Sequence, residues 1–139
     1  MDTTILVEKH IQNGETLLVE LFKKSWKITV AFWNRNELSN QWKLYLSIPT
    51  LRSEGSRSIY LQLTKMIGQI QPALSIDVDD IVLIHSNEPA VKELRNKLTH
   101  NAAKYENTKS IHLNGDQKIS GESIGYMLQN IKRNKYQNI

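Results

Sequence analysis

The sequence predicts a single α+β domain with a mainly antiparallel sheet and helices packed on one face. Three observations support this prediction. Two neighbouring segments alternate apolar and polar residues with the period of a strand, the segments around them repeat with helical period, and 139 residues is the length of one domain. The predicted domain covers residues 1–131, and a basic, mobile tail follows over 132–139.

The clearest pattern is a pair of strands over 27–34 and 41–48. Large apolar or aromatic residues occupy every second position: Ile28, Val30, Phe32, Trp42, Leu44, Leu46 and Ile48. This alternation is typical of half-buried strands. The link over 34–40 is short and mostly polar, which predicts an antiparallel hairpin. Pro49 ends the second strand because proline has no N–H for the ladder.

Helical spacing predicts helices over 5–24, over 56–71 and after Ser86 or Asn87. Gly14 lowers helix propensity, so it weakens the first helix and can divide it in two. The apolar run 81–84 is short enough for a buried strand.

The C-terminal part of the chain predicts a hairpin. Ile111 and Leu113 indicate a strand, and Asn114-Gly115 is a strong turn signal. Residues 119–128 fit either a strand or a helix, and Gly121 and Gly125 favour the strand.

Composition excludes several classes of site. The chain has no cysteine, which rules out disulfides, thiolate metal sites and cysteine nucleophiles. The net charge of +4 permits weak attraction to nucleic acid but does not require it. We expect no cofactor. The N-terminus lacks the pattern of a signal peptide and no apolar run is long enough to span a membrane, so we expect a cytoplasmic protein without membrane contact.

Several segments together resemble an uncharacterised family of small bacterial proteins. They are Ala31-Phe32-Trp33, then Trp42-x-Leu44-Tyr45-Leu46-x-Ile48-Pro49, then Gly55 before a helix with Tyr60, and Ile81-Val82-Leu83-Ile84. The family has no assigned activity. The resemblance implies a shared fold and transfers no function.

One short motif resembles helical ribonucleases of the HEPN type. Arg95-Asn96, three further residues and His100 match the spacing of their catalytic arginine and histidine. A guanidinium can hold phosphate oxygens and an imidazole can transfer a proton near neutral pH. Those enzymes are all-helical, whereas residues 27–48 here predict a hairpin. We therefore prefer a solvated helix face at Arg95 and His100 and keep catalysis as the alternative.

Other polar groups give no stronger motif. Asp77, Asp79 and Asp80 precede the 81–84 strand without the further ligands and glycine of a calcium loop, so we interpret them as a solvated turn. No two histidines have close metal-ligand spacing. The sequence also lacks a glycine-rich phosphate loop and a Gly-x-Ser-x-Gly elbow. We predict no metal site and no catalytic residues.

The candidate binding residues lie on the predicted hairpin. Trp33 and Tyr45 fall on the positions opposite the apolar stripe, flanked by Lys27 and Lys43. On an open face they would form an aromatic platform for bases or for a protein partner. If helices cover both faces, these rings simply belong to the core.

The tail offers a second, basic candidate surface. Lys132, Arg133 and Lys135 could contact phosphates, although such a tail more often keeps a protein in solution. Our first hypothesis is a non-enzymatic binding or protein-interaction module that binds a protein partner or itself. The alternative is an RNA-binding protein or weak nuclease.

Overall fold

A computed structural model of the chain describes residues 8–100, 108–113 and 121–137, with side chains described up to Lys132. The helices are α1 (Glu8–Lys23), α2 (Leu51–Glu54), α3 (Ser56–Gln69), α4 (Pro89–His100) and α5 (Leu128–Gln137). The strands are β1 (Val30–Arg35), β2 (Trp42–Ser47), β3 (Ile81–Ile84), β4 (Ser110–Leu113) and β5 (Ser123–Tyr126). A 3₁₀ turn over Val78–Asp80 leads into β3.

The five strands form one sheet in the order β3-β2-β1-β5-β4. β1 and β2 pair antiparallel as the predicted hairpin, β5 pairs antiparallel with both β1 and β4, and β2 and β3 are parallel. The predicted α+β class and the mainly antiparallel sheet are therefore confirmed. β3 and β4 form the two edges of this sheet.

Helices cover both faces of the sheet, not one face as the sequence analysis predicts. Leu44 lies opposite Trp33 in the register, and Tyr45 lies opposite Phe32. Ala31, Trp33, Leu44 and Leu46 pack with α1, α3 and α5, and we call this side the three-helix face. Val30 and Phe32 pack with Val91, Leu94 and Leu98 of α4 on the other side, the α4 face. Consecutive residues of β1 are apolar, so both faces need cover.

Helix α1 runs without interruption through Gly14, so this residue does not divide the helix in two. Gly14 is buried, and a β-carbon there would overlap the hydroxyl of Tyr126. That hydroxyl accepts a hydrogen bond from the indole N–H of Trp33 at 2.9 Å and donates one to the carbonyl of Ile11 at 2.6 Å. Glycine therefore lets α1 approach the tyrosine closely.

The C-terminal region contains both of the structures that its pattern fits. β5 occupies Ser123–Tyr126, as predicted, and pairs with β4. Helix α5 then begins at Leu128 and extends to Gln137, where the sequence analysis predicts a tail. Leu128 and Ile131 are buried in the core of the three-helix face, which gives α5 an apolar side. The Asn114-Gly115 turn and residues 138–139 lie outside the described residues.

Candidate functional site

The structure separates the two rings of the predicted aromatic platform. Trp33 is only 2% exposed and lies on the three-helix face. Tyr45 lies on the α4 face, half-buried, with its ring stacked on Phe32 at a centroid distance of 5.1 Å. The prediction that Trp33 and Tyr45 share one face is therefore wrong, and helices cover both faces, which is the alternative to an open platform. The register of the hairpin places them on opposite sides of the sheet.

The two lysines of that prediction also lie apart. Lys43 is on β2, two residues from Tyr45, and therefore shares its side of the sheet. Its Nζ donates a hydrogen bond to the carbonyl of Asp79 at 3.0 Å. Lys27 is exposed in the connection between α1 and β1 and lines a different cavity from Lys43.

The residues of the alternative predictions lie on α4 and α5. Arg95 and His100 are both exposed on α4, as expected for a solvated helix face. Lys132 is exposed on α5, and its Nζ lies 5.1 Å from the centre of the Phe22 ring. Helix α5 includes Arg133 and Lys135, whose side chains are outside the part of the chain that the structure describes.

The remaining polar residues have local roles. Asp80 accepts a hydrogen bond from the main-chain N–H of Asp77 at 3.2 Å and so closes the 3₁₀ turn. His85 accepts from the N–H of Asn87, and His112 lies 3.3 Å from the carboxylate of Glu122. Within residues 8–100, 108–113 and 121–137, no three acidic or histidine side chains are grouped to hold a metal ion.

An apolar concavity lies beside the β3 edge, and we call it the edge groove. It has a volume of about 570 Å³. One wall is a side of α3 formed by residues that share a helix face, because each lies three or four residues from two of the others: Arg57, Tyr60, Leu61 and Thr64. The rest of the lining comes from β2, the 3₁₀ turn and β3: Lys43, Val78, Asp79, Ile81 and Val82.

Tyr60 closes part of the sheet edge inside this groove. Its hydroxyl donates a hydrogen bond to the carbonyl of Ile81 at 3.0 Å and accepts one from the N–H of Leu83 at 3.1 Å. Both main-chain groups point away from β2 and would otherwise be open to another strand. The tyrosine therefore satisfies the edge of β3 from within the chain.

The rim of the groove carries two cationic side chains, Arg57 and Lys43, one exposed carboxylate, Asp79, and one exposed leucine. Arg57 is exposed and forms no ion pair with the described residues. Lys43 is held near the 3₁₀ turn by its bond to the Asp79 carbonyl. Leu61 is 57% exposed, although it is a large apolar residue. The site can accept an apolar group with negative charge beside it.

Of the groove residues, only Lys43 is among the binding residues predicted from the sequence. A signal for Leu61 exists, because it lies outside the buried stripe of α3, which contains Ile59 and Leu63. An apolar residue on the polar side of an amphipathic helix leaves an apolar group open to contact from outside the helix's own core. Arg57 and Val82 give no such signal, since only the fold places β3 beside α3.

Comparisons of the chain with protein families, with curated proteins and with solved structures return no match. The resemblance to a family of small bacterial proteins is therefore neither supported nor contradicted. None of the helices in the described part of the chain has the length and hydropathy that a membrane span requires.

Proposed function

We propose that the protein is a non-enzymatic protein-interaction module whose edge groove binds an acidic segment of a partner protein. The segment carries leucine or another large apolar side chain. The observation that carries this proposal is the exposed Leu61 on an apolar groove whose rim holds Arg57 and Lys43. An apolar side chain of the partner would cover Leu61, and its carboxylates would approach the two cations.

The partner would bind through side chains and would not add a strand to β3. Strand addition requires free main-chain donors and acceptors along a sheet edge. The Tyr60 hydroxyl already occupies the carbonyl of Ile81 and the N–H of Leu83. A strand added there would have to break both hydrogen bonds. The side of α3 beside the edge offers contacts that need no such exchange.

The open shape of the groove favours a protein segment over a small molecule. Sites for small molecules bury most of the surface of their ligand. More than half of the surface of Leu61 is exposed, so much of the groove rim would stay exposed to solvent around a small ligand. A peptide chain can lie across Leu61 and reach both cations.

The test uses fluorescence anisotropy with a short labelled peptide of alternating glutamate and leucine. We expect the peptide to bind, and to bind more weakly as salt rises, because the charges at the rim are screened. A peptide with lysine in place of glutamate should not bind. L61A and R57E should weaken binding by about tenfold, or about 1.4 kcal/mol.

Two matched variants control this experiment. L38A removes a leucine that is 98% exposed at the tip of the β1–β2 hairpin, and R52E reverses an exposed arginine on α2. Neither residue lines the groove, so both variants should bind the peptide like the wild type. Binding that L61A and R57E leave unchanged would contradict the proposal. Sedimentation of the protein alone tests self-association. If the wild type is a dimer and L61A is a monomer, the partner of the edge groove is a second copy of the chain and not an acidic segment of another protein.

A further inference from the structure

A second cavity lies at the end of α1, on the other side of α3 from the edge groove. We call it the Trp26 cavity, and its volume is about 300 Å³. The side chains that matter here are Lys24, Trp26, Lys27, Thr50, Glu54 and Gln62. It combines an aromatic ring, two lysines and hydrogen-bonding groups within one concave surface. Its volume is at the lower end of the range for small-molecule sites.

The end of α1 fixes the position of Trp26. The N–H of Trp26 bonds to the carbonyl of Leu21, and the N–H of Ser25 bonds to the carbonyl of Phe22. These two bonds are the Schellman arrangement that closes a helix. Ser25 has a φ of 64°, a left-handed conformation in which glycine is the usual residue. The indole therefore starts from a defined backbone, packs partly against the core and also lines the cavity.

Both lysines of the cavity lack an anionic partner in the described part of the chain. Their neighbour Lys23 lies 3.5 Å from Glu20, whereas Lys24 and Lys27 form no ion pair there. The indole N–H of Trp26 likewise makes no hydrogen bond with the described residues. The two lysines are therefore available to bind an anion, and the indole is available to stack on a planar ring.

Glu54 and Gln62 offer hydrogen-bonding groups in the lining of the cavity. Oε2 of Glu54 accepts a hydrogen bond from the Thr50 hydroxyl, which holds the carboxylate in place. Its Oε1 has no partner among the described residues. Gln62 donates only a long bond of 3.4 Å to Ser58. A carboxylate can accept two parallel N–H bonds, so Glu54 suits a ligand with two adjacent N–H donors.

We propose that the Trp26 cavity binds a guanine nucleotide unit. The base would stack on Trp26, its adjacent ring and amino N–H groups would donate to Glu54, and its phosphate would lie between Lys24 and Lys27. Adenine lacks the ring N–H, so Glu54 selects guanine. A free nucleotide and single-stranded RNA share this chemistry. This site is separate from the edge groove, and its test is independent of the proposed function.

The experiment is calorimetric titration of the full chain with GMP, AMP, guanosine and inorganic phosphate. GMP should bind more tightly than each of the other three. E54Q should weaken GMP by about tenfold and leave AMP unchanged, because only guanine donates twice to the carboxylate. K27A should weaken GMP and AMP alike and leave guanosine unchanged. K65A, which removes an exposed lysine of α3 outside the cavity, is the matched control and should bind like the wild type.

Trp26 also packs against the core, so W26A can unfold the protein. The test therefore depends on E54Q and K27A. Equal affinity for GMP and AMP would overturn the proposal. So would GMP binding that E54Q and K27A leave unchanged, or no binding of GMP at all. If a single-stranded RNA that contains guanine binds much more tightly than GMP, the guanine nucleotide unit that the cavity recognises belongs to RNA. If the RNA binds no more tightly than GMP, the ligand of the cavity is the free nucleotide.

Discussion

The indole N–H of Trp33 donates a hydrogen bond to the hydroxyl of Tyr126 inside the core of the three-helix face, with a nitrogen–oxygen distance of 2.9 Å. Trp33 is on β1 and Tyr126 is at the end of β5. The tyrosine hydroxyl then donates to the carbonyl of Ile11 on α1. Two buried polar groups thus satisfy each other and join the sheet to the first helix.

The first prediction concerns this hydrogen bond. Y126F leaves the indole N–H of Trp33 buried without its acceptor, so the free energy of unfolding should fall by about 1–3 kcal/mol. Y45F is the control, because the Tyr45 hydroxyl makes no hydrogen bond with the described residues and the ring still stacks on Phe32. It should change stability by less than about 0.5 kcal/mol. Urea unfolding measures both variants. Equal losses in the two variants would contradict this role of Tyr126.

The second prediction is a dependence on alkaline pH. Burial raises the pKa of Tyr126 well above its ordinary value, while the bond from Trp33 opposes this rise and Glu15 and Glu8 add to it. Above pH of about 10 an unfolded tyrosine loses its proton, whereas the folded Tyr126 keeps it. The unfolded state then binds fewer protons, so stability falls as pH rises, with a limiting slope of about 1.4 kcal/mol per pH unit.

Y126F has no such proton, and it serves as the reference for this pH dependence. The advantage of the wild type over Y126F is fully present below pH of about 10 and should shrink at higher pH. All other tyrosines titrate in both proteins and cancel in the difference. Urea unfolding of both proteins at a series of alkaline pH values checks the prediction. A difference that stays constant across the series would show that Tyr126 ionises as it does in the unfolded chain.

The third prediction concerns Gly14. A β-carbon at this position would overlap the Tyr126 hydroxyl and lie 3.2 Å from the indole nitrogen of Trp33. G14A should therefore displace the tyrosine and cost about 1–3 kcal/mol, although alanine favours a helix more than glycine does.

Gly68 on α3 provides the matched control for G14A. No atom lies within 4 Å of a β-carbon built there, so G68A should stabilise the protein by up to about 1 kcal/mol. The opposite signs of the two variants distinguish close packing from helix propensity. Thermal unfolding of both measures them. A stabilising G14A would contradict the contact between α1 and Tyr126.

Much of the fold could be predicted because local patterns and tertiary packing agree in the β1–β2 hairpin and in α3 and α4. Ile28, Val30, Phe32, Leu44 and Leu46 are all buried, as their alternation predicts. Alternation alone does not reveal that Val30 and Phe32 face α4 while Leu44 and Leu46 face the other helices. The register of the two strands decides this, and it depends on the length and geometry of the link.

The candidate sites were harder to predict for a physical reason. Trp33 and Tyr45 would form a surface platform only if they shared an open face, but they lie on opposite sides of the sheet and helices cover both sides. The edge groove depends on the parallel pairing of β2 and β3, which places Ile81 and Val82 beside the strand that carries Lys43 although they are distant from it in sequence. Trp26 lies just before the alternating segment, at a helix end whose closure depends on Ser25.

The last prediction is that Arg95 and His100 are not a catalytic pair. Residues five apart on a helix are rotated by about 140° beyond a full turn, so their side chains leave the helix in different directions. Leu94 and Leu98 form the buried side of α4, and Arg95 and His100 are both exposed. Wild type and H100A, purified free of ribonuclease, should therefore leave a labelled single-stranded RNA equally intact over several hours. RNA cleavage by the wild type that H100A abolishes would show that His100 takes part in catalysis after all.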